Sequence, residues 1–303
     1  MDKLAAKTAA PAPLQSSKGL RCREIEERDI ENIVALLAKG FAARSRRYWA
    51  RALHRLSHHR TPSGLPKLGY LLEYGGMPVG VLLLIFSDVA TSATPNIRCN
   101  VSSWYVEPAF RSFASLLVLR ALKNKDVTYL NISPAPPTRA TIEAQGFIRY
   151  CSGQLLALPM LSGRSPELSL QPIASVARPD DAGAAAEFDL LKTHADLGCV
   201  SLWCTSDGRV YPFAFLPRRI GKGLVPVVQL VYCRDQQDFV RFARPLGRYL
   251  ARHGRPLVLL DAAGPIPGLI GKYFAGNGPK YFKGPNPPHL GDLAYTEGVV
   301  LGP

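Results

Sequence analysis

No apolar run in the chain approaches the roughly 20 residues that a membrane helix requires; the longest, Val79–Phe86, is far shorter, which excludes a helical span. Residues 1–19 are small, polar and Pro-containing, without the apolar core of a secretory signal, so a flexible tail and a cytoplasmic protein are expected. Six cysteines, Cys22, Cys99, Cys151, Cys199, Cys204 and Cys233, form no C-x-x-C pair and no zinc-knuckle spacing, which leaves reduced, buried thiols. No serine stands in G-x-S-x-G, so a hydrolase elbow has no support. His54 and His58 are four residues apart but lack the carboxylate of H-E-x-x-H, so no metal is expected. Acids are scarce as well: 23 Asp and Glu against 37 Lys and Arg give a net charge of +14, which attracts polyanions without specifying one.

What is present is enough for two ordinary domains, since 303 residues at 47% hydrophobic composition can bury proper cores. Ile30, Ile33, Val34, Leu37 and Phe41 fall on one helical face of the segment Asp29–Phe41, with Asp29 as a cap. Arg44–Arg60 predicts a second helix, apolar at Trp49, Leu53 and Leu56 and basic at Arg46, Arg47, Arg51 and Arg55. Leu68–Tyr74 and Val79–Phe86 read as a hairpin across Gly75, Gly76 and Pro78. Val127–Ile132 predicts another strand, and Arg139–Gln145 a short helix stopped at Gly146.

Between them, Ser102–Leu122 reads as a strand, a break at Pro108 and a helix opening on Arg111. A helix start attracts anions because its first N–H groups have no partner within the helix. Ser112, Ala114 and Ser115 are small enough to admit a phosphate there. The spacing Val106, Pro108, Arg111 resembles the acyl-CoA binding segment of the GCN5-related N-acetyltransferases, and Glu143–Phe147 (EAQGF) is similar to that family's helix ending before a Gly-Phe pair. The resemblance covers residues 20–160, with Ala114 and Leu116 in place of the loop's two glycines.

It implies an α/β fold, with α+β character in its mixed sheet, and acetyl-CoA or another acyl-CoA as co-substrate, without a metal. By the same resemblance Tyr105 and Val106 would contact the pantetheine, and the stretch Arg111, Ser112, Phe113, Ala114, Ser115 and Leu116 would hold the pyrophosphate. The tyrosine that many relatives use to protonate the leaving thiolate is replaced by Ile142. Ser133 and Tyr150 are the substitutes for that acid; Glu107 and Glu73 are the candidate bases, with Ser103 or Tyr105 as a relay.

The second half repeats the plan. Residues 161–178, rich in Pro, Ser and Gly, read as a linker between a first domain at 20–160 and a second at 179–303. Ala184–Thr193 predicts a helix, Val200–Thr205 and Val210–Leu216 a hairpin about Asp207-Gly208, Val225–Cys233 a strand, Asp238–His253 a helix and Pro256–Asp261 a strand. A terminal strand is expected after the Gly and Pro turns that follow Tyr281, in a segment that could cover the acceptor cleft. The architecture expected is therefore a tandem of two acetyltransferase-like domains, a repeat of about 130 residues. Asp235 and Asp238 would repel phosphate at the second helix start, so the second domain is expected to be degenerate.

His194, Asp196, His253, Asp261, His289 and Asp292 are its chemical residues, none at a diagnostic spacing. The function expected is acyl transfer from acyl-CoA to an amine or hydroxyl of a small-molecule or peptide acceptor, an anionic one included. Two alternatives stay open: an aminoacyl-tRNA-dependent transferase of the same tandem architecture, whose basic helix would grip RNA, and a non-catalytic ligand-binding protein.

Overall fold

A computed structural model describes residues 19–89, 96–163, 166–221 and 223–302; the expected tail at 1–19 lies almost wholly outside them. The first half runs β1 (Leu20–Glu24), α1 (Ile30–Gly40), α2 (Arg46–His58), β2 (Gly69–Tyr74), β3 (Met77–Asp88), β4 (Ile97–Val106), a 3-10 turn (Pro108–Phe113), α3 (Ala114–Ala121), β5 (Thr128–Asn131), α4 (Arg139–Ala144) and β6 (Ile148–Ala157). The second half runs β7 (Ser169–Pro172), α5 (Ala182–Asp196), β8 (Val200–Ser206), β9 (Arg209–Ile220), β10 (Val225–Cys233), α6 (Gln236–Arg241), α7 (Ala243–Arg252), β11 (Val258–Ala262), β12 (Gly271–Lys283) and α8 (Glu297–Val300).

Local chemistry accounts for most of these elements. Ser45 accepts from Tyr48 N–H at 3.2 Å and starts α2. That helix buries Trp49, Ala52, Leu53 and Leu56, the i, i+3, i+4, i+7 stripe that packs it on the sheet. β3 is an unbroken apolar run because both its faces are covered: Leu82, Leu84 and Phe86 enter one core while Val81, Leu83 and Ile85 enter another.

Twelve strands form one continuous mixed α/β sheet, in the order β1-β2-β3-β4-β5-β12-β6-β11-β10-β9-β8-β7. Counted inward from its two edges, the order pairs β1 with β7, β2 with β8, and so on to β5 with β11 and β12 with β6, so the repeat has a pseudo-twofold centre. The halves exchange their last strands across it. β6 leaves the first half to pair with β11, as Leu155↔Leu260 shows, and β12 returns to pair with β5 at Tyr281↔Asn131. The sequence pattern had implied a sheet for each half; strand exchange fuses the two.

β12 lies earlier than the expected terminal strand. Gly276, Gly278 and Pro279 are poor strand formers, and the β6–β12 register shifts between Ala275 and Lys280 to absorb them. Pro285, Pro287 and Pro288, which lack N–H donors, then prevent a further strand, and the chain closes on α8.

Close approach at the exchanged strands makes a test of this arrangement. A Cβ on Gly153 of β6 would lie 2.5 Å from Phe274 O and 2.6 Å from Tyr273 Oη, too near for the backbone to remain in place. Gly153→Ala is expected to lower stability by about 1–3 kcal/mol, the usual range for overpacking, as a reduced urea midpoint at unchanged slope.

Candidate active site

Strands β4 and β5 run parallel and pair only from Arg98↔Thr128 to Asn100↔Leu130. Beyond that point they part. On β5 the chain meets Pro134, Pro136 and Pro137, which have no N–H with which to extend a ladder. On β4 the register against β3 jumps from Ser102↔Leu83 to Tyr105↔Val81, so Ser103 and Trp104 bulge with no partner of their own, and Ser103 adopts φ +52°. The fork opens into a cavity of about 460 Å3, walled by both halves of the chain.

One carboxylate occupies the fork, and it comes from the far end of the chain. Glu297 opens α8; its N–H donates to Asn100 Oδ1 at 2.6 Å, while Ser102 Oγ and Ser133 Oγ donate to its two carboxylate oxygens. Asn100 Nδ2 also donates to Leu130 O at 3.2 Å and ties the two strands at the point of divergence. Although Glu297 keeps some surface in the cavity, burial raises its pKa above the ordinary carboxylate value, against the lowering effects of the two hydroxyls, Arg218 and Lys280.

Cations line the same cavity. Arg218 of β9 donates to Gln229 Oε1 at 2.6 Å, and the Arg44 guanidinium lies 4.4 Å from the Tyr48 ring centroid. Lys280 donates to Asp261 Oδ1 at 2.6 Å and to Gly278 O at 3.1 Å. This arrangement can orient an acceptor, take a proton at Glu297 and hold negative charge at the guanidiniums.

The second half has a matching fork. β10 and β11 pair in parallel only at Val228↔Val258 and Gln229↔Leu259, and β10 bulges between Leu230 and Tyr232. Here the gap is filled: Cys233 N–H donates to Gly291 O at 3.0 Å and Leu293 N–H to Val231 O at 2.8 Å, so residues 291–293 lie along β10 where β11 has left it. Asp235 caps α6 by accepting from Gln237 N–H at 2.8 Å.

Of the residues singled out in the sequence, Ser133 reaches the site and Ser103 lies on its wall. Glu107 is instead ion-paired with Lys39 at 2.6 Å, and Glu73 with Arg23 at 2.8 Å. Tyr150, on β6, lies outside the cavity lining; its hydroxyl is buried without a partner among the described residues, and burial pushes the phenol up. Tyr105 packs on Gly40 and Phe41, and Val106 is buried.

α3 opens at Ala114, not at Arg111, because Pro108–Phe113 forms the 3-10 turn first. Arg111, Ser112, Ser115 and Leu116 are exposed on that turn and the start of α3, with Phe113 and Ala114 half-buried beside them; the wall of the cavity is reached only by Val118 and Ala121 farther along α3. α3 has no side-chain cap, so its start remains suited to an anion.

The remaining candidates are held in structural contacts. His194 accepts at Nε2 from Tyr295 N–H at 3.2 Å and is pushed down to about 4 by burial, hence neutral. Asp292 pairs with Arg98, Asp196 with Lys192, His253 stacks on Tyr249, and His289 lies 3.7 Å from Asp292. His54 and His58 stack on one another, and no group of three or more His, Cys, Asp or Glu converges among the described residues. All six cysteines are unpaired, five of them buried. Arg46, Arg47, Arg51 and Arg55 are exposed, and α2 presents Tyr48 and Trp49 to the cavity. No helix among the described residues is long and apolar enough to cross a membrane. Glu297, Asn100 and Arg218 were not identified from the sequence; the only signal was that the final segment could cover the cleft.

No protein-family model and no curated protein matches the chain. Solved structures do. A GCN5-related N-acetyltransferase from Anabaena variabilis is 12% identical, with a TM-score of 0.54 over 87% of this chain and 72% of that one. A candidate acetyltransferase from Pyrococcus horikoshii is 11% identical, with a TM-score of 0.52 over 96% of both chains. A GCN5-related N-acetyltransferase from Kribbella flavida is 13% identical, with a TM-score of 0.52 over 88% of this chain and 72% of that one. With two forked half-sheets and these structures alongside, the fold of this chain is that of the GCN5-related N-acetyltransferases.

Proposed function

We propose that the chain moves an acyl group from acyl-CoA to an amine or hydroxyl acceptor in the central cavity, with Glu297 as the base. The supporting observation is a carboxylate raised by burial and held by Ser102 and Ser133 at the fork of β4 and β5. When bound, acyl-CoA supplies the activated carbonyl. The chain supplies the rest: Asn100 fixes the backbone of Glu297, the two serines orient its carboxylate, and the unpaired bulge at Ser103 and Trp104 offers backbone polar groups to a carbonyl oxygen. The exposed Arg111 and the uncapped start of α3 are suited to the phosphates.

In this reading the first half alone holds the donor, since residues 291–293 fill the second fork. Calorimetry with CoA is expected to give one site per chain. Arg111→Glu should weaken it by about 2 kcal/mol, whereas Asp235→Ala should not. Unchanged affinity in Arg111→Glu would remove the phosphate assignment. A second reading, an aminoacyl-tRNA-dependent transferase, is favoured by the exposed Arg47, Arg51 and Arg55 of α2; tRNA binding with a steep salt dependence and no CoA binding would support it instead.

A further inference from the structure

Among the described residues the buried cations Arg98 and Lys280 and the half-buried Arg23 are neutralised by carboxylates. Arg23 has Asp29 and Glu73, Arg98 has Asp292, and Lys280 has Asp261. The cavity that holds Glu297 is lined by two further arginines, Arg44 and Arg218, whose side chains reach solvent. Arg44 and Arg218 have no ion-pair partner among the described residues: one guanidinium lies over a tyrosine ring and the other bonds a neutral amide. The two are close enough that, after the burial of Arg218, the like charge of Arg44 is the next cause lowering the Arg218 pKa. Holding unneutralised guanidiniums together in this way is unfavourable until an anion joins them.

The lining also includes apolar side chains, among them Phe41, Trp49, Leu216 and Leu301. Arg218 lines the same cavity as Glu297 and acts electrostatically on it, so the anion site and the proton acceptor share one cavity. An acceptor that satisfies both carries its nucleophile and a negatively charged group within one small molecule.

We infer that the acceptor is a free α-amino acid with an apolar or aromatic side chain, its carboxylate held by Arg218 and Arg44 and its amine facing Glu297. This rests on the acyl-transfer reading above. The neutral amine nitrogen forms the new bond to the acyl carbon as the carbon–sulfur bond breaks and its electron pair leaves on sulfur. Glu297 takes the proton from nitrogen and returns it to the sulfur, which leaves as the thiol.

The test uses the full chain with acetyl-CoA, following thiol release, and supplies phenylalanine, leucine and tryptophan each as the free acid and as the carboxamide. Calorimetry with CoA runs in parallel. The acids are expected to be acetylated with kcat/KM about tenfold or more above the amides, in keeping with a charge-assisted, bidentate contact. Arg218→Gln and Arg44→Gln should raise KM for the acids by about the same factor, and together they should erase the preference while CoA affinity stays within twofold. Amides used as well as acids, or a preference that survives both substitutions, would overturn the assignment. Binding of CoA with no transfer to either set rejects the amino-acid acceptor alone, and failure to bind CoA rejects the transferase reading beneath it.

Discussion

Glu297→Gln is expected to lower kcat by about 100- to 10,000-fold, the range that general-base catalysis contributes, while CoA still binds. Glutamine has nearly the same shape and can still accept from one of the two serine hydroxyls, and the N–H bond from residue 297 to Asn100 is a backbone bond that the substitution leaves in place. What it cannot do is take a proton. The pH profile should change with it. Burial holds the Glu297 pKa above the usual carboxylate value, so the parent should lose activity as pH falls through that raised pKa, and the variant should lack this acidic limb.

Stability supplies the control, because the sign of linkage is opposite. A carboxyl whose folded pKa is raised contributes stability that is fully present below its unfolded pKa and is lost as pH rises through the folded one. At neutral pH Glu297→Gln should therefore be no less stable than the parent. A variant equally stable and equally active would sink the assignment.

Asp292→Ala is expected to cost about 3–5 kcal/mol of stability, the range for leaving one member of a buried ion pair unmatched. Arg98 of β4 donates to both Asp292 oxygens, at 2.7 and 3.0 Å, and the pair is shielded, with 5% of the arginine side chain and 12% of the aspartate exposed. Asp292 also accepts from Ala294 N–H at 3.1 Å, in the turn that leads to Glu297. Removing it strands a buried guanidinium and loosens the segment that both fills the second fork and delivers the carboxylate to the first. Activity should fall alongside stability.

Burial by itself would raise the Asp292 pKa, but Arg98 outweighs it and holds the carboxyl below its ordinary value. This stabilisation is present above the unfolded pKa of about 4 and is lost as pH falls through the folded one. Urea titrations of parent and variant at pH 7 and again in acid should therefore converge. Joint replacement, Arg98→Met with Asp292→Leu, should recover much of the loss, because the unmatched charge is then gone. A loss below about 1 kcal/mol in the single variant, ordinary for a surface site, would show that the pair does not secure the segment.

The apolar stripe of α2, the continuous run of β3 and the turn at Gly75 and Gly76 depend on neighbours within a few residues, and periods of 3.6 and 2 expose such dependence in the chain itself. The order of elements in both halves, and through it the fold, was legible for that reason. Strand exchange was not. β6 and β12 carry ladders that any adjacent strand of suitable register can complete, and only the packed molecule decides that β6 faces β11 while β12 faces β5. The start of α3 moved from Arg111 to Ala114 because the 3-10 turn after Pro108 is a matter of backbone geometry that residue types only bias.

The candidate site was the least legible part. Ser133 was picked out as an acid, yet its hydroxyl donates to a carboxylate 164 residues farther along the chain, and Ser102 donates to the same group across 195 residues. Glu107 and Glu73, the carboxylates expected as bases, are engaged by Lys39 and Arg23, whereas Glu297 was not among the candidates. The sequence alone determined which residues could form helices, strands and the anion-suited start of a helix, since those are local properties of side chains and backbone. The tertiary structure alone decided which carboxylate has its pKa raised by burial and shares a cavity with two guanidiniums that have no ion-pair partner among the described residues, because burial and charge pairing are set by segments that meet only in the folded chain.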